Sequence, residues 1–121
     1  MVLAVTAIGK DARDVAGYNL LLPLGDFEKT VYQGVNGAIF ALLALDAGGY
    51  EIPANPEAKT QATRDGYVQK ILSVQLADGG WNMSGEKADA DLTAMALQAL
   101  AGYTAQAAVQ AAVDRGIAAL S

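Results

Sequence analysis

Two neighbouring stretches decide the fold: Ile71-Leu72-Ser73-Val74-Gln75-Leu76-Ala77-Asp78-Gly79-Gly80-Trp81 and Asp89-Ala90-Asp91-Leu92-Thr93-Ala94-Met95-Ala96-Leu97-Gln98-Ala99-Leu100. The first predicts a helix that ends in Gln, followed by a glycine-rich turn that delivers a Trp. The second predicts another helix, which begins at an acidic pair and is otherwise almost wholly apolar. The expected unit of structure is therefore a pair of helices joined through this turn.

A second copy of the apolar helix lies 55 residues earlier in the chain. Residues 40–45, Phe-Ala-Leu-Leu-Ala-Leu, align with residues 95–100, Met-Ala-Leu-Gln-Ala-Leu, and a Gly-Tyr pair follows each copy. A repeat of about 50 residues that holds two helices is typical of helical repeat arrays. The sequence therefore predicts stacked helical hairpins.

Four segments carry helical periodicity, and they are of two kinds. Segments 37–47 and 92–101 are apolar nearly all round, which predicts that they are buried on every side. Segments 65–76 and 104–120 have one apolar stripe, which is typical of amphipathic helices at a surface. Inner and outer helices are therefore expected to alternate in two layers.

The N-terminal part and the longest loop are less regular. Residues 3–9 resemble the end of an outer helix, and residues 18–32 predict a helix interrupted near Pro23 and Gly25. The segment 50–61 contains two prolines and is expected to be a loop.

Composition limits the class of protein. The 121 residues are 53% hydrophobic and 17% charged, which predicts one globular domain over residues 1–121. The net charge of −5 argues against a nucleic-acid partner or an anionic membrane surface, and no apolar run is long enough to span a bilayer. The absence of Cys and His argues against a zinc site and against an imidazole-activated nucleophile.

The two ends of the chain suggest a piece of something longer. The first ten residues lack the basic start and the cleavage site of a signal peptide. Leu120-Ser121 occupies the place that Leu72-Ser73 has in the earlier outer helix, where a Gln and a Gly-Gly-Trp turn follow. We therefore expect a fragment of a longer array, whose exposed ends can self-associate.

The helix-turn stretch resembles the Gln-Trp motif of the prenyltransferase and squalene-oxidase repeat superfamily. The residues at the motif spacing are Gly66, Ile71, Gln75, Gly79 and Trp81. Asp65 and Lys70 depart from the motif, which prefers a basic and an aromatic residue there. The resemblance implies an all-α fold, namely part of an α/α toroid in which inner and outer antiparallel helices alternate.

Within that superfamily, segments 33–42 and 89–100 are most similar to repeat regions of bacterial cell-surface proteins. The resemblance implies a non-catalytic module of a surface or secreted protein that serves in binding, adhesion or as a scaffold. It implies no cofactor, an extracellular or wall-attached location, and a protein or cell-surface ligand as partner. Two alternatives stay open: part of a terpene-cyclase-like or prenyltransferase-like enzyme completed by other repeats, and a carrier of a small, cobalamin-like ligand.

The acidic pair is the main catalytic candidate. The segment 89–92 resembles the Asp-x-Asp-Asp acid motif of class II terpene cyclases, but Leu92 stands in place of its last Asp. A carboxyl group that protonates an alkene needs neighbouring carboxylates. We expect instead that Asp91, or Asp89, caps the apolar helix and that Asn36 does the same in the earlier copy.

The residues of the turn and the tyrosines also have ordinary structural roles. We expect Gln75 to bond backbone groups of a neighbouring helix, Trp81 to tie repeats together, and Gly79 and Gly80 to form the tight turn. Asp78, Asp89 and Asp91 do not have the spacing of a calcium loop. Four tyrosines near helix ends are either ordinary half-buried residues or an aromatic rim for a ligand: Tyr18, Tyr32, Tyr50 and Tyr103. The ligand-binding candidates are therefore Asp89, Asp91, Tyr32 and Tyr103, and no metal ligand is predicted.

Overall fold

A computed structural model describes residues 2–7, 9–14, 19–32 and 34–121. Within these ranges the α-helices are α1 (Val2–Ala7), α2 (Phe27–Val31), α3 (Val35–Ala47), α4 (Arg64–Ser73), α5 (Ala90–Leu100) and α6 (Ala107–Leu120). Two 3₁₀ turns, Leu22–Gly25 and Ala101–Tyr103, precede α2 and follow α5. In these ranges the only extended pairing is an isolated antiparallel bridge between Asp26 and Gln61, so the predicted all-α class is confirmed. None of these helices has the length and apolar character needed to cross a bilayer.

Helix α3 lies at the centre of the core. It packs against α1, α2, α4 and α5, while α6 packs against α5. Its buried side chains are those of Val35, Ala38, Ile39, Ala41, Leu42, Ala44 and Leu45. The near-continuous apolar sequence of α3 is explained by these four neighbours, because a helix covered on several sides has little room for polar groups.

The two apolar helices repeat each other in burial as well as in sequence. Positions 55 residues apart are buried in both α3 and α5: Ala38 and Thr93, Ala41 and Ala96, Ala44 and Ala99, Leu45 and Leu100. These positions recur three or four residues apart, so they form one stripe along each helix. The two helices therefore use the same face for the core.

The expectation of burial on every side is wrong for both apolar helices: Phe40 of α3 is 47% exposed, and α5 has exposed positions as well. Its residues Ala94 and Gln98 are exposed, although Ala96 and Leu100 of the same helix are fully buried. The reason is that α5 packs mainly against α3 and α6, whereas α3 has four helical neighbours. An apolar sequence alone does not reveal how many neighbours a helix has.

The helix caps agree only in part with those expected, since Asp89 is one of the two candidates for α5. Helix α5 is capped by Asp89, whose side chain accepts a hydrogen bond from the Leu92 N–H at 2.8 Å, and Asp91 lies inside the first turn. Helix α3 is preceded by Gly34, and no side chain caps it; Asn36 is its second residue. The expected caps Asp91 and Asn36 are therefore wrong: each lies two residues beyond the N-cap position, where the backbone already has helical geometry.

The segment before α3 also differs from its prediction. Instead of one interrupted helix, Leu22–Gly25 forms a 3₁₀ turn, and α2 starts separately after it. Asp26 separates the two, because its backbone is extended and its side chain accepts a hydrogen bond from the Lys29 N–H at 3.2 Å. Pro23 occupies the early position of a turn that its fixed geometry favours. Tyr18 lies outside the described residues.

The outer helices are shorter than predicted. Helix α4 ends at Ser73 rather than near residue 76, because the Gln75 N–H bonds to the Leu72 carbonyl and closes a turn. Helix α6 begins at Ala107 rather than at residue 104, since the 3₁₀ turn Ala101–Tyr103 uses the preceding residues. As a result, Gln75 lies in the turn after α4 and Tyr103 lies in the 3₁₀ turn before α6, so neither residue is inside these helices.

We predict that Gly37→Ala destabilises the protein even though Ala is the better helix former. A Cβ at Gly37 would overlap the carbonyl of Thr30, which is rigid backbone, so α2 and α3 would have to move apart. Overpacking of this kind costs about 1–3 kcal/mol, which exceeds the gain in helix propensity of about 1 kcal/mol.

Chemical denaturation would measure this change, with Gly102→Ala as the matched control. A Cβ at Gly102 meets no atom within 4 Å, so the control should stay within about 0.5 kcal/mol of the parent. Equal stabilities for the two variants would contradict the close approach of α2 and α3.

Candidate functional site

The Gln-Trp stretch forms a turn that joins two helical pairs. The side-chain amide of Gln75 donates hydrogen bonds to the carbonyls of Gly79 and Ala112, each at 2.9 Å. Trp81 is fully buried, and its indole N–H donates to the Ile71 carbonyl at 2.8 Å. The Gln75 amide therefore links the turn to α6, while Trp81 links the turn back to α4.

Small residues let the turn approach α6. Gly79 has a φ of 96°, a left-handed conformation that other residues adopt only at a cost, and a Cβ there would overlap the carbonyl of Arg115. Gly116 of α6 faces Trp81, since a Cβ on it would lie 3.0 Å from the indole and 2.7 Å from Leu97. The Gln-Trp motif includes no residue of α6, so sequence reasoning did not single out Gly116.

The acidic side chains near the turn are bound to backbone N–H groups. Asp78 accepts from Gly80 at 3.0 Å and from Ala88 at 2.8 Å, and these bonds lower the pKa of its carboxyl group. Asp89 caps α5, while Asp91 is exposed in the first turn. In the described ranges, no three or more His, Cys, Asp or Glu residues lie close enough to hold a metal ion.

The four ligand-binding candidates are not brought together. Asp89 and Asp91 lie at the start of α5 and Tyr103 beyond its end, about 15 Å or more along the helix. Tyr32 precedes α3 and is 84% exposed, whereas Tyr103 bonds to Asp46 near the other end of α3. These residues therefore do not form a single rim.

Two of the candidates line separate clefts: Tyr32 shares one of ≈ 440 Å³ with charged side chains such as Lys29 and Glu57, and Tyr103 lines a larger one. The larger cleft measures ≈ 860 Å³ and lies at the C-terminal ends of α3 and α5. Its lining residues are Leu43, Asp46, Ala47, Arg64, Gln98, Ala99, Gly102 and Tyr103. This size and this mixture of apolar walls with a few polar groups are typical of small-ligand sites.

A three-residue cluster forms the polar part of the cleft. The Tyr103 hydroxyl donates to Asp46 Oδ2 at 2.7 Å, and Arg64 Nε donates to Asp46 Oδ1 at 3.0 Å. Arg64 Nη2 also donates to the Tyr50 carbonyl, which fixes the plane of the guanidinium group. The side chains of Asp46 and Arg64 remain 41% and 30% exposed, so they are held in place and still accessible.

The cluster changes the acidity of the phenol. Burial raises the pKa of Tyr103 to about 12, and the hydrogen bond to the Asp46 carboxylate adds to the rise. The neutral, hydrogen-bond-donating phenol is therefore the form that the folded protein stabilises. At neutral pH Tyr103 acts as a donor and not as a base.

Sequence reasoning missed Asp46 and Arg64. One signal was present, because Asp46 is the only charged residue of α3. A carboxylate near a helix C-terminus is unfavourable to the helix dipole unless a cation compensates it, and Arg64 supplies that cation. The partner lies 18 residues further along the chain, beyond the loop, so spacing alone did not identify it.

Comparisons with known proteins give no relative. No model of a known protein family, no curated protein and no solved structure matches this chain.

We predict that Gln75→Ala lowers the free energy of unfolding by about 1–3 kcal/mol. The variant leaves the carbonyls of Gly79 and Ala112 without the amide that they share. Gln69→Ala is the matched control, since Gln69 is exposed on the neighbouring helix and its loss should change stability by no more than about 0.5 kcal/mol. Similar urea midpoints for both variants would show that Gln75 does not join the helices.

We further predict that the stability contributed by Tyr103 falls between pH 10 and pH 12. The folded protein holds the phenolic proton up to a pKa of about 12, whereas the ordinary pKa is 10.0, so the stabilisation is complete below pH 10 and is lost as the pH rises to 12. Comparing Tyr103→Phe with the parent across this range isolates the effect, because the raised pKa of Tyr67 is common to both. A stability difference that does not vary with pH would contradict the phenol–carboxylate hydrogen bond.

Proposed function

We propose that the chain is a non-catalytic repeat module of an α/α-toroid array, serving in binding, adhesion or as a scaffold in a bacterial surface or secreted protein. The observation that carries this proposal is the use of the motif side chains. Gln75, Asp78 and Trp81 all bond to backbone groups of the chain itself. Side chains engaged in this way contribute to architecture and are not free for chemistry.

The packing of the helices supports the array. α4 packs against α3 and α6 against α5, while α3 and α5 pack against each other. The burial of α3 and α5 repeats with an offset of 55 residues. Two helical pairs with equivalent inner members are what two consecutive repeats of a solenoid or toroid require.

The contacts of Asp89 and the exposure of Asp91 support a structural role for this pair rather than proton donation. Asp89 is engaged as the cap of α5, and the neighbouring Leu92 is buried. Asp91 is exposed to water, and Leu92 follows it where an acid for an alkene would need a neighbouring carboxylate. The location at the cell surface rests on the resemblance to surface-protein repeats alone.

Incubation with farnesyl diphosphate and with squalene, in the presence of Mg²⁺ or Zn²⁺, tests this proposal. We expect no product and no change of melting temperature for the chain. A ligand present at a hundred times its Kd would stabilise the folded state by about 2.7 kcal/mol, so binding would be visible.

Asp91→Asn is the companion variant, because it leaves the Asp89 cap in place. Turnover that Asp91→Asn abolishes would overturn the proposal in favour of an enzyme. A rise of melting temperature with cobalamin would favour the carrier alternative instead.

A further inference from the structure

The cleft between α3 and α5 has a polar cluster that the repeat itself does not require. Its two walls are equivalent faces, since Leu43 and Gln98 are 55 residues apart, as are Ala47 and Gly102. Asp46 corresponds at this offset to Ala101, so the second copy has no carboxylate at that position. The hairpin therefore folds with or without the acid, and the Asp46 cluster is an addition to one copy.

The charges of the cleft favour a neutral ligand. Asp46 and Arg64 form an ion pair and cancel each other, and Gln98 and the Tyr103 phenol are uncharged. The cleft also lies at the C-terminal ends of α3 and α5, where the helix dipoles place partial negative charge. Phosphates and carboxylates are therefore disfavoured, as is consistent with the net charge of −5.

The hydrogen-bonding groups of the cleft are planar and paired. Each carboxylate oxygen of Asp46 accepts one hydrogen bond within the cluster and keeps further acceptor capacity. Arg64 uses Nε and Nη2 in the described contacts, which leaves the N–H groups of Nη1 for a ligand. Gln98 presents an exposed amide from the opposite wall. Adjacent hydroxyl groups on a ring match such planar pairs of donors and acceptors.

The walls offer the complementary apolar surface. Leu43, Ala47 and Ala99 are aliphatic, and the Tyr103 ring stands beside them. A pyranose ring has hydroxyl groups at its edge and C–H groups on its face, so it matches both parts of the cleft. We propose that the cleft between α3 and α5 binds a neutral sugar ring of a glycan, held by Asp46, Arg64 and Gln98 against Tyr103. This inference rests on the proposed role of the chain as a binding module.

Titration of the ¹⁵N-labelled chain with neutral sugars tests the proposal. The probes are the methyl glycosides of glucose, galactose and N-acetylglucosamine, with inorganic phosphate and Mg²⁺ as charged comparisons. We expect saturable shifts for at least one sugar at the amides of residues 43–47, 64 and 98–103. We expect none at these amides with phosphate or Mg²⁺.

Gln98→Ala is the deciding variant, because this exposed side chain makes no hydrogen bond within the described part of the chain. It should weaken sugar binding about ten-fold, as expected for the loss of one good hydrogen bond, with the melting temperature unchanged. Gln69→Ala, the matched exposed glutamine of α4, should bind as the parent does.

Three results would overturn the inference: no saturable shift with any neutral sugar, shifts confined to another surface, or equal affinities in the two glutamine variants. Saturable shifts with phosphate at the cleft would overturn the neutral class of ligand. None of these results bears on turnover of farnesyl diphosphate or squalene. If no sugar binds, the proposal of a non-catalytic array is still tested separately by the turnover assay.

Discussion

The amide of Gln75 bridges two backbone carbonyls, and the arrangement of the helices depends on this contact. One carbonyl belongs to Gly79 in the turn and the other to Ala112 in α6, so this side chain holds the turn against the next helical pair, together with Arg115 of α6, which donates to the Leu76 carbonyl. Trp81 then fills the space behind the turn and bonds back to α4. A half-buried amide that lost these partners would carry a desolvation penalty, which makes alternative packings unfavourable.

The number of neighbouring helices limits how freely the sequence of an inner helix can vary. Because α3 has neighbours on several sides, its composition is nearly fixed, and even the backbone of Thr30 comes close enough to require Gly37. Helix α5 has fewer neighbours, and it tolerates exposed Ala94 and Gln98. The same repeat therefore supports a crowded helix in one copy and a half-open one in the next, and the half-open copy forms one wall of the cleft.

The helices themselves could be predicted because their apolar periodicity is local information. The caps and ends of the helices are harder to predict. Asp89 and Asp91 are both good capping residues, and only the backbone geometry shows which of them is used. The cleft could not be predicted from the sequence for a different reason. Arg64 and Tyr103 reach Asp46 across 18 and 57 residues, and such contacts depend on tertiary packing that no periodicity records. Tyr103 was found as a helix-end aromatic, without its partners.

The side chains of Gln75 and Trp81 donate to backbone carbonyls, and this has a consequence for how much the sequence beside the turn can vary. The carbonyls of Ile71, Gly79 and Ala112 would be present whatever side chains those positions carried. Helix α6 also contributes two side-chain features: a small residue facing Trp81, which Gly116 provides, and the Arg115 guanidinium, which donates to Gln75 Oε1 at 3.3 Å and to the Leu76 carbonyl at 3.2 Å. A hairpin exchanged next to this turn would therefore have to keep a donor and a small residue at two adjacent positions of its outer helix, while the positions that supply only carbonyls could carry different side chains.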